Sequence, residues 1–323
     1  RVADSVKELQ CEFTGNSFHL HMYMGVYEIR DRDEAVSIMV DKANIAADTI
    51  KNNYDCCVAY YDEHLLEISI EQRRLLGEFE PALQNDEFVM YLQPQVKRDG
   101  AAKGAEALVR WVHPSRGILT PYAFIDILEN AGLIYKLDLY IWEKAAQKLA
   151  EWKEKGYGSY HISVNISTKD FYIIDIYETF TGLINKYGIA ASNLHLEITE
   201  TTLMTDFEKN MNIIHKLQGV GFRVEIDDFG SGYSSLNMLK DISADVLKID
   251  MGFLRKSENE VKGQDILESI ITLAGKIGMD VITEGVETKK QLDMLTMMGC
   301  HEFQGYYFSK PVPVSEFEEK YLV

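Results

Sequence analysis

Carboxylate, amide and ammonium side chains close a series of aliphatic runs in this sequence. Asn165 stands near the end of HISVNIS, Glu197 and Glu200 near the end of LHLEITE, and Asp227 and Asp228 close FRVEIDD. Lys248 and Asp250 close ADVLKID, and Glu284 closes MDVITEG. Glu106 opens its run instead, and the period of two along a strand sets Glu106, Leu108 and Arg110 on one face. One acidic residue after a strand is commonly a helix N-cap. Capping does not account for polar residues at so many strand ends, and carboxylates sharing one pocket repel unless cations stand between them. Oxygen donors without histidine or thiolate select hard ions, Mg2+ or Mn2+. Two such ions can clamp the attacking and leaving oxygens of a phosphoryl displacement. Lys248 would align the attacking water or stabilise charge beside it. Asp227 and Asp228 point to opposite faces of a continued strand, so if both bind metal the chain must turn there. Gly230 and Gly232 permit that turn.

The elements that must carry these residues alternate. Strand-like runs fall near 88–93, 105–111, 161–166, 194–199, 222–227, 245–250, 279–284 and 300–304, most of them rich in Val, Ile and Leu as strands buried on both faces are. Helical spacing fills 169–187, 206–219, 264–277 and 288–298. Strands alternating with helices predict a parallel sheet, and eight of them predict a closed (β/α)8 barrel with its chemistry at the strand C-termini. The connection 97–104 is too short for a parallel crossover, so the first strand should run antiparallel to the second. The fold class is therefore α/β, a modified TIM-like barrel over 85–323.

Residues 1–66 read differently, as a helix (Val2 to Leu9), a strand (Phe18 to Val26), a helix from about Asp33 to Lys51 and a strand (Cys57 to Tyr61). A helical stretch at 67–84 links this smaller α+β part to the barrel. The 323 residues carry a net charge of −18, which repels duplex nucleic acid at long range. Cys11, Cys56, Cys57 and Cys300 form neither a CxxC pair nor a disulfide framework, and read as reduced thiols of a cytoplasmic protein. No apolar run reaches the length of a membrane span, and the N-terminus lacks a signal-peptide pattern. The chain opens at Arg1 rather than methionine and reads as an excerpt of a longer protein.

The motifs resemble those of EAL domains, in order, from about residue 70 to the end. YLQPQV (91–96) is similar to the family's opening strand and AEALVRW (105–111) to its signature; VNIS, LEITE, DDFGSGYSSL, LKID, TEGVE and QGYYFSKP follow. The resemblance implies a phosphodiesterase that opens cyclic di-GMP to linear pGpG with two divalent ions, Mg2+ or Mn2+. It implies Glu106, Asn165, Glu197 and Asp227 as ligands of one ion, with Asp227 bridging and Asp228 and Glu284 serving the second. Lys248 corresponds to the lysine at the catalytic water, Asp250 supports that strand end, and Glu200 holds the loop 228–236. Gln93, Arg110 and Gln304, with Leu108, match substrate-contacting positions.

Ser231, Thr283 and Gln95 depart from the usual residues, and none removes a ligand. An active enzyme is therefore expected rather than a non-hydrolysing receptor. A glycosidase with two carboxylates would need neither paired aspartates nor the lysine. The resemblance also implies a homodimer, with loop 228–236 near its interface. LHMYMGVYEI and DKANIAADTIKN resemble, more weakly, the second half of a degenerate GGDEF domain; its cyclase signature is absent, so this chain should make no cyclic di-GMP. Elsewhere His113 reads as a loop residue, His301 as packed beside a strand, and Trp111, Trp142 and Trp152 as core.

Overall fold

The computed structural model describes residues 23–51, 57–229, 242–252 and 260–322. The chain divides into two compact units, Arg1–Glu80 and Pro81–Val323. In the first, β1 (Met24–Val26) and β2 (Val58–Tyr60) pair in parallel, with α1 (Val36–Asp48) as the crossover between them. Gly25 lets α1 settle on the sheet, since a Cβ there would lie 1.7 Å from the Ala43 carbonyl oxygen. The helix expected over 2–9 and the start of the strand expected from Phe18 lie outside the described residues. α2 (Glu63–Gln84) occupies the stretch whose apolar spacing predicts a helix, and runs through the division between the units.

In the second unit β3 (Phe88–Lys97) turns tightly into β4 (Ala102–His113), which pairs onward with β5 (Gly117–Leu119). There follow α3 (Ile125–Ala131), α4 (Ile134–Glu154), β6 (His161–Ile166), α5 (Asp170–Ile173), α6 (Ile176–Tyr187) and β7 (Leu194–Thr199). Next come α7 (Glu200–Thr205), α8 (Phe207–Val220), β8 (Val224–Phe229), β9 (Val246–Asp250), α9 (Glu260–Lys276) and β10 (Asp280–Glu284). α10 (Lys289–Met297), β11 (Glu302–Phe303), β12 (Val312–Pro313) and α11 (Val314–Tyr321) complete the unit. β4 and β6 to β11 run parallel in sequence around the sheet, and β3 closes it by pairing antiparallel with both β4 and β11. The short 97–104 connection has the consequence expected of it: an eight-stranded barrel with one reversed strand.

Alternation along the strands sorts the barrel by polarity. Ile162, Val164, Leu194, Leu196, Val224 and Ile226 are buried on one face. Ser163, Asn165, Glu197, Glu225 and Lys248 take the other, where their side chains meet across the barrel. Trp142 and Trp152, on α4, and Trp111, on β4, have no exposed surface, as expected of core residues. Asp175 splits the helix expected over 169–187: its side chain accepts the Glu178 amide as the N-cap of α6. Two expectations are corrected. His113 ends β4 rather than lying in a loop, because the β4–β5 hairpin carries the strand to the proline and buries the imidazole 5.3 Å from the Trp111 ring. His301 does not pack beside a strand; it sits exposed in the turn before β11, with its neighbour Cys300 buried instead.

Candidate active site

Register brings the polar residues together. Asn165 on β6 pairs with Glu197 on β7, Thr199 pairs with Asp227 on β8, and Glu106 on β4 stands opposite Gln93 on β3. Inside the barrel they surround Lys248, whose side chain has no exposed surface. Its Nζ lies 2.8 Å from Glu284 Oε1, 3.0 Å from Glu197 Oε2, 3.3 Å from Asp227 Oδ1 and 3.4 Å from Glu106 Oε2. Asn165 Nδ2 donates to Glu106 Oε1 at 3.1 Å, and the Asn165 carbonyl accepts Trp142 Nε1–H at 2.9 Å. Gln304 Nε2 donates to Glu106 Oε2 at 2.5 Å and to Gln93 Oε1 at 3.3 Å. Gln93 in turn donates to the Ser309 carbonyl.

One ammonium among four carboxylates leaves the site short of positive charge. Burial opposes the charge of Lys248, yet Asp227, Glu106, Glu197 and Glu284 carry its pKa well above the ordinary value. Burial, then the Glu106 carboxylate, pushes Glu197 well up, and burial pushes Glu284 up to about 8 against the pull of Lys248. Glu197 Oε1 is buried without a hydrogen bond, and Glu197 Oε2 and Asp227 Oδ1 are buried with only the ion-pair contact to Lys248. Buried anionic oxygens of this kind are costly unless a cation meets them. An all-oxygen set with unbonded lone pairs fits hard divalent ions such as Mg2+ or Mn2+.

The backbone departs from a regular strand at the paired aspartates. Asp228 itself adopts a left-handed backbone (φ 56°), and the β8–β9 register slips between Ile226 and Phe229. Asp228, a residue type that tolerates this region, thus breaks the regular strand geometry directly after Asp227. Gly230, Gly232, Ser231 and the rest of the loop to residue 241 lie outside the described residues. Asp228 is exposed and is not a partner of Lys248; partial burial and the charges of Asp227 and Asp250 raise its pKa. Asp250 accepts the Gly252 amide at 2.7 Å and so braces the end of β9. Glu200 opens α7, directly after the cap residue Thr199.

Arg110 lies apart from the cluster, its guanidinium 5.4 Å over the Tyr91 ring and bonded to the Val109 carbonyl. Leu108 lines a cavity of about 280 Å³ with Asn165, Trp142, Ile125, Asp138 and Thr199. Two groups were not anticipated from sequence. Asp138 on α4 and Asp170 on α5 share a hydrogen bond, and Ser167 donates from both its amide and its hydroxyl to Asp170 Oδ2. His161, His195 and Glu225 form a second polar layer in the barrel. The signal was present in the strings HISVN, HLE and EID: His195 and Glu225 stand two positions before an expected ligand, and His161 four positions before one.

A family model described as an EAL domain matches residues 77–311. The chain is 32% identical over 272 residues to the bifunctional diguanylate cyclase/cyclic di-GMP phosphodiesterase MucR of Pseudomonas aeruginosa, covering 84% of this chain and 39% of that protein. It is 33% identical over 240 residues to the cyclic di-GMP phosphodiesterase PdeR of Escherichia coli, covering 74% of this chain and 36% of that one. The chain thus spans less than half the length of these curated relatives. Among solved structures, the PaMucR phosphodiesterase in complex with c-di-GMP superposes with a TM-score of 0.71 at 33% identity, covering 76% of this chain and 99% of that one.

Proposed function

Because the chain belongs to the EAL domain family, we propose that it is a phosphodiesterase that hydrolyses cyclic di-GMP to linear pGpG with two divalent ions. The observation that carries this reading is the Lys248 ammonium shared by four carboxylates, Glu106, Glu197, Asp227 and Glu284, with Glu197 Oε1 buried and without a partner. Glu106, Asn165, Glu197 and Asp227 would hold one ion, and Asp228 and Glu284 with Asp227 the second. The ions would supply Lewis acidity and a counter-charge for the phosphodiester.

The chain's own groups do the rest. Lys248 is held protonated, so Nζ donates hydrogen bonds to the attacking water and the phosphoryl oxygens and does not act as a base. The hydrogen bonds from Asn165 and Gln304 fix the Glu106 carboxylate, and that fixed geometry lowers the cost of organising the site. Gln93, Gln304 and Arg110 offer donors to the nucleotide, and the 280 Å³ cavity beside Leu108 has the apolar walls to receive a base and exclude water. Asp250 braces the end of β9; the loop that Glu200 is expected to hold lies outside the described residues from residue 230.

The first unit is read as the C-terminal part of a degenerate GGDEF domain, supported by its parallel β1–α1–β2 arrangement and the close approach at Gly25. The homodimer through loop 228–236 and a cytoplasmic setting remain parts of the proposal. Among the described residues, no helix is long and apolar enough to cross a membrane.

The test is turnover of cyclic di-GMP by the purified chain with Mg2+ or Mn2+, with chelator, and beside Glu106→Ala. Metal-dependent pGpG formation that the variant loses is the expected result. Tight binding with no product under any metal would make the chain a receptor instead.

A further inference from the structure

We propose that His161, His195 and Glu225 form a separate metal site, suited to a d-block divalent ion of the Zn2+ class, deeper in the barrel than the carboxylate cluster. His161 opens β6, and His195 and Glu225 are second in β7 and β8. They share the inward face with Asn165, Glu197 and Asp227, nearer the strand starts. All three are buried, and one ligand atom from each lies within 4.8 Å of the others. Zinc bonds of about 2.0–2.2 Å in a tetrahedron place ligands roughly 3.4 Å apart, so the three side chains have to adjust, with His195 and Glu225, now 2.5 Å apart, opening to admit the ion.

Two features point to a ligand. Glu225 Oε2, an acceptor facing the two imidazoles, is buried without a hydrogen bond. A carboxylate oxygen with no partner in a fully buried position is a strong demand for positive charge. The three side chains also line a cavity of about 490 Å³ with Ser159, Ser192 and Arg223, at the end of the barrel opposite the carboxylate cluster. That cavity gives an ion a way in and leaves room for water as a fourth ligand.

The donor set decides the class of ion. Two imidazoles with one carboxylate match zinc, whereas the cluster around Lys248 is all oxygen. The outer partners are in place: the Ser192 carbonyl faces His195 Nε2 at 3.2 Å, leaving Nδ1 for the ion, and Gln95 fixes the His161 ring. In the ion-free arrangement His195 Nδ1 bonds Glu225 Oε1 at 2.5 Å and the two imidazoles stack 3.8 Å apart at 3°. Binding replaces that hydrogen bond, releases the Nδ1 proton and turns one ring out of the stack. The ion would tie β6, β7 and β8 together just below Asn165, Glu197 and Asp227.

Co2+ alone is the probe, added to the full chain carrying Asp227→Asn to weaken the carboxylate cluster. The expected result is one equivalent with the intense visible absorption of a four-coordinate, nitrogen-ligated ion, displaced by Zn2+. His161→Gln and Glu225→Gln should each weaken it by more than the 10–100-fold typical of losing an outer partner. Only the weak absorption of a six-coordinate oxygen site, or unchanged binding in both variants, overturns the proposal. Should Glu225→Gln fail to fold, Cu2+ bound to the unsubstituted chain decides: hyperfine coupling to two imidazole nitrogens supports the site, and its absence overturns it.

Discussion

Lys248 Nζ stands 2.8 Å from Glu284 Oε1, and the lysine side chain has no exposed surface. Three more carboxylates face the same ammonium, so among the described residues this is the cation that all four share.

Replacing it with methionine, Lys248→Met, keeps the volume and removes the charge. Breaking a buried ion pair from one side costs about 3–5 kcal/mol. Unfolding in urea with chelator should show a loss of that order, and Mg2+ should restore part of it by supplying the missing charge. Turnover should fall by about 100-fold or more, the scale of losing one electrostatic donor. A variant as stable as the parent in chelator would mean that the four carboxylates do not depend on Lys248.

Asp228 separates backbone from chemistry. Its left-handed conformation (φ 56°) costs an L-residue about 1–2 kcal/mol, less for aspartate, and glycine adopts it freely at a comparable entropic cost. Asp228→Gly should therefore leave the urea midpoint nearly unchanged while lowering turnover at least about tenfold by removing a carboxylate from the proposed second ion. Unchanged turnover at limiting Mg2+ would take Asp228 out of the site.

The barrel was legible in sequence because its strands are continuous aliphatic runs and its one exception, the 97–104 connection, is too short to be anything but a turn. Glu106, Asn165, Glu197, Asp227, Lys248 and Glu284 were legible because each sits at a fixed place relative to such a run. The left-handed Asp228 was not, since its glycine-rich surroundings offered an easier place to turn. Asp138 and Asp170 were hidden because they lie on helices with no motif, and their hydrogen bond depends on how α4 and α5 pack. His161, His195 and Glu225 were visible as letters, but only the register of three strands shows that they face one another.

Gly104 tests that register. It pairs with His161 across β4 and β6, and a Cβ there would come within 2.4 Å of the imidazole. Gly104→Ala should cost about 1–3 kcal/mol in denaturant unfolding, the usual scale of overpacking. In a chain that also carries His161→Ala the cost should shrink, because the obstructing ring is gone. Strictly additive effects of the two substitutions would show that the alanine acts through something other than this contact.

The pair Asp138–Asp170 gives the pH dependence. Burial, then the Asp170 carboxylate, pushes Asp138 well above its ordinary 3.8, and burial raises Asp170. A carboxyl raised in the folded state keeps a proton that the unfolded chain has lost. Its contribution is complete below the ordinary value and fades as pH rises from there through the folded-state pKa. Asp138→Asn fixes the neutral form and retains a donor for Asp170. Urea midpoints across acid to mildly alkaline pH should therefore show the variant gaining on the parent as pH rises, with the least advantage at the acid end. Glu197 and Glu284 slope the same way in both proteins, so the difference between the curves isolates the pair. Two parallel curves would mean that Asp138 and Asp170 ionise normally in the fold.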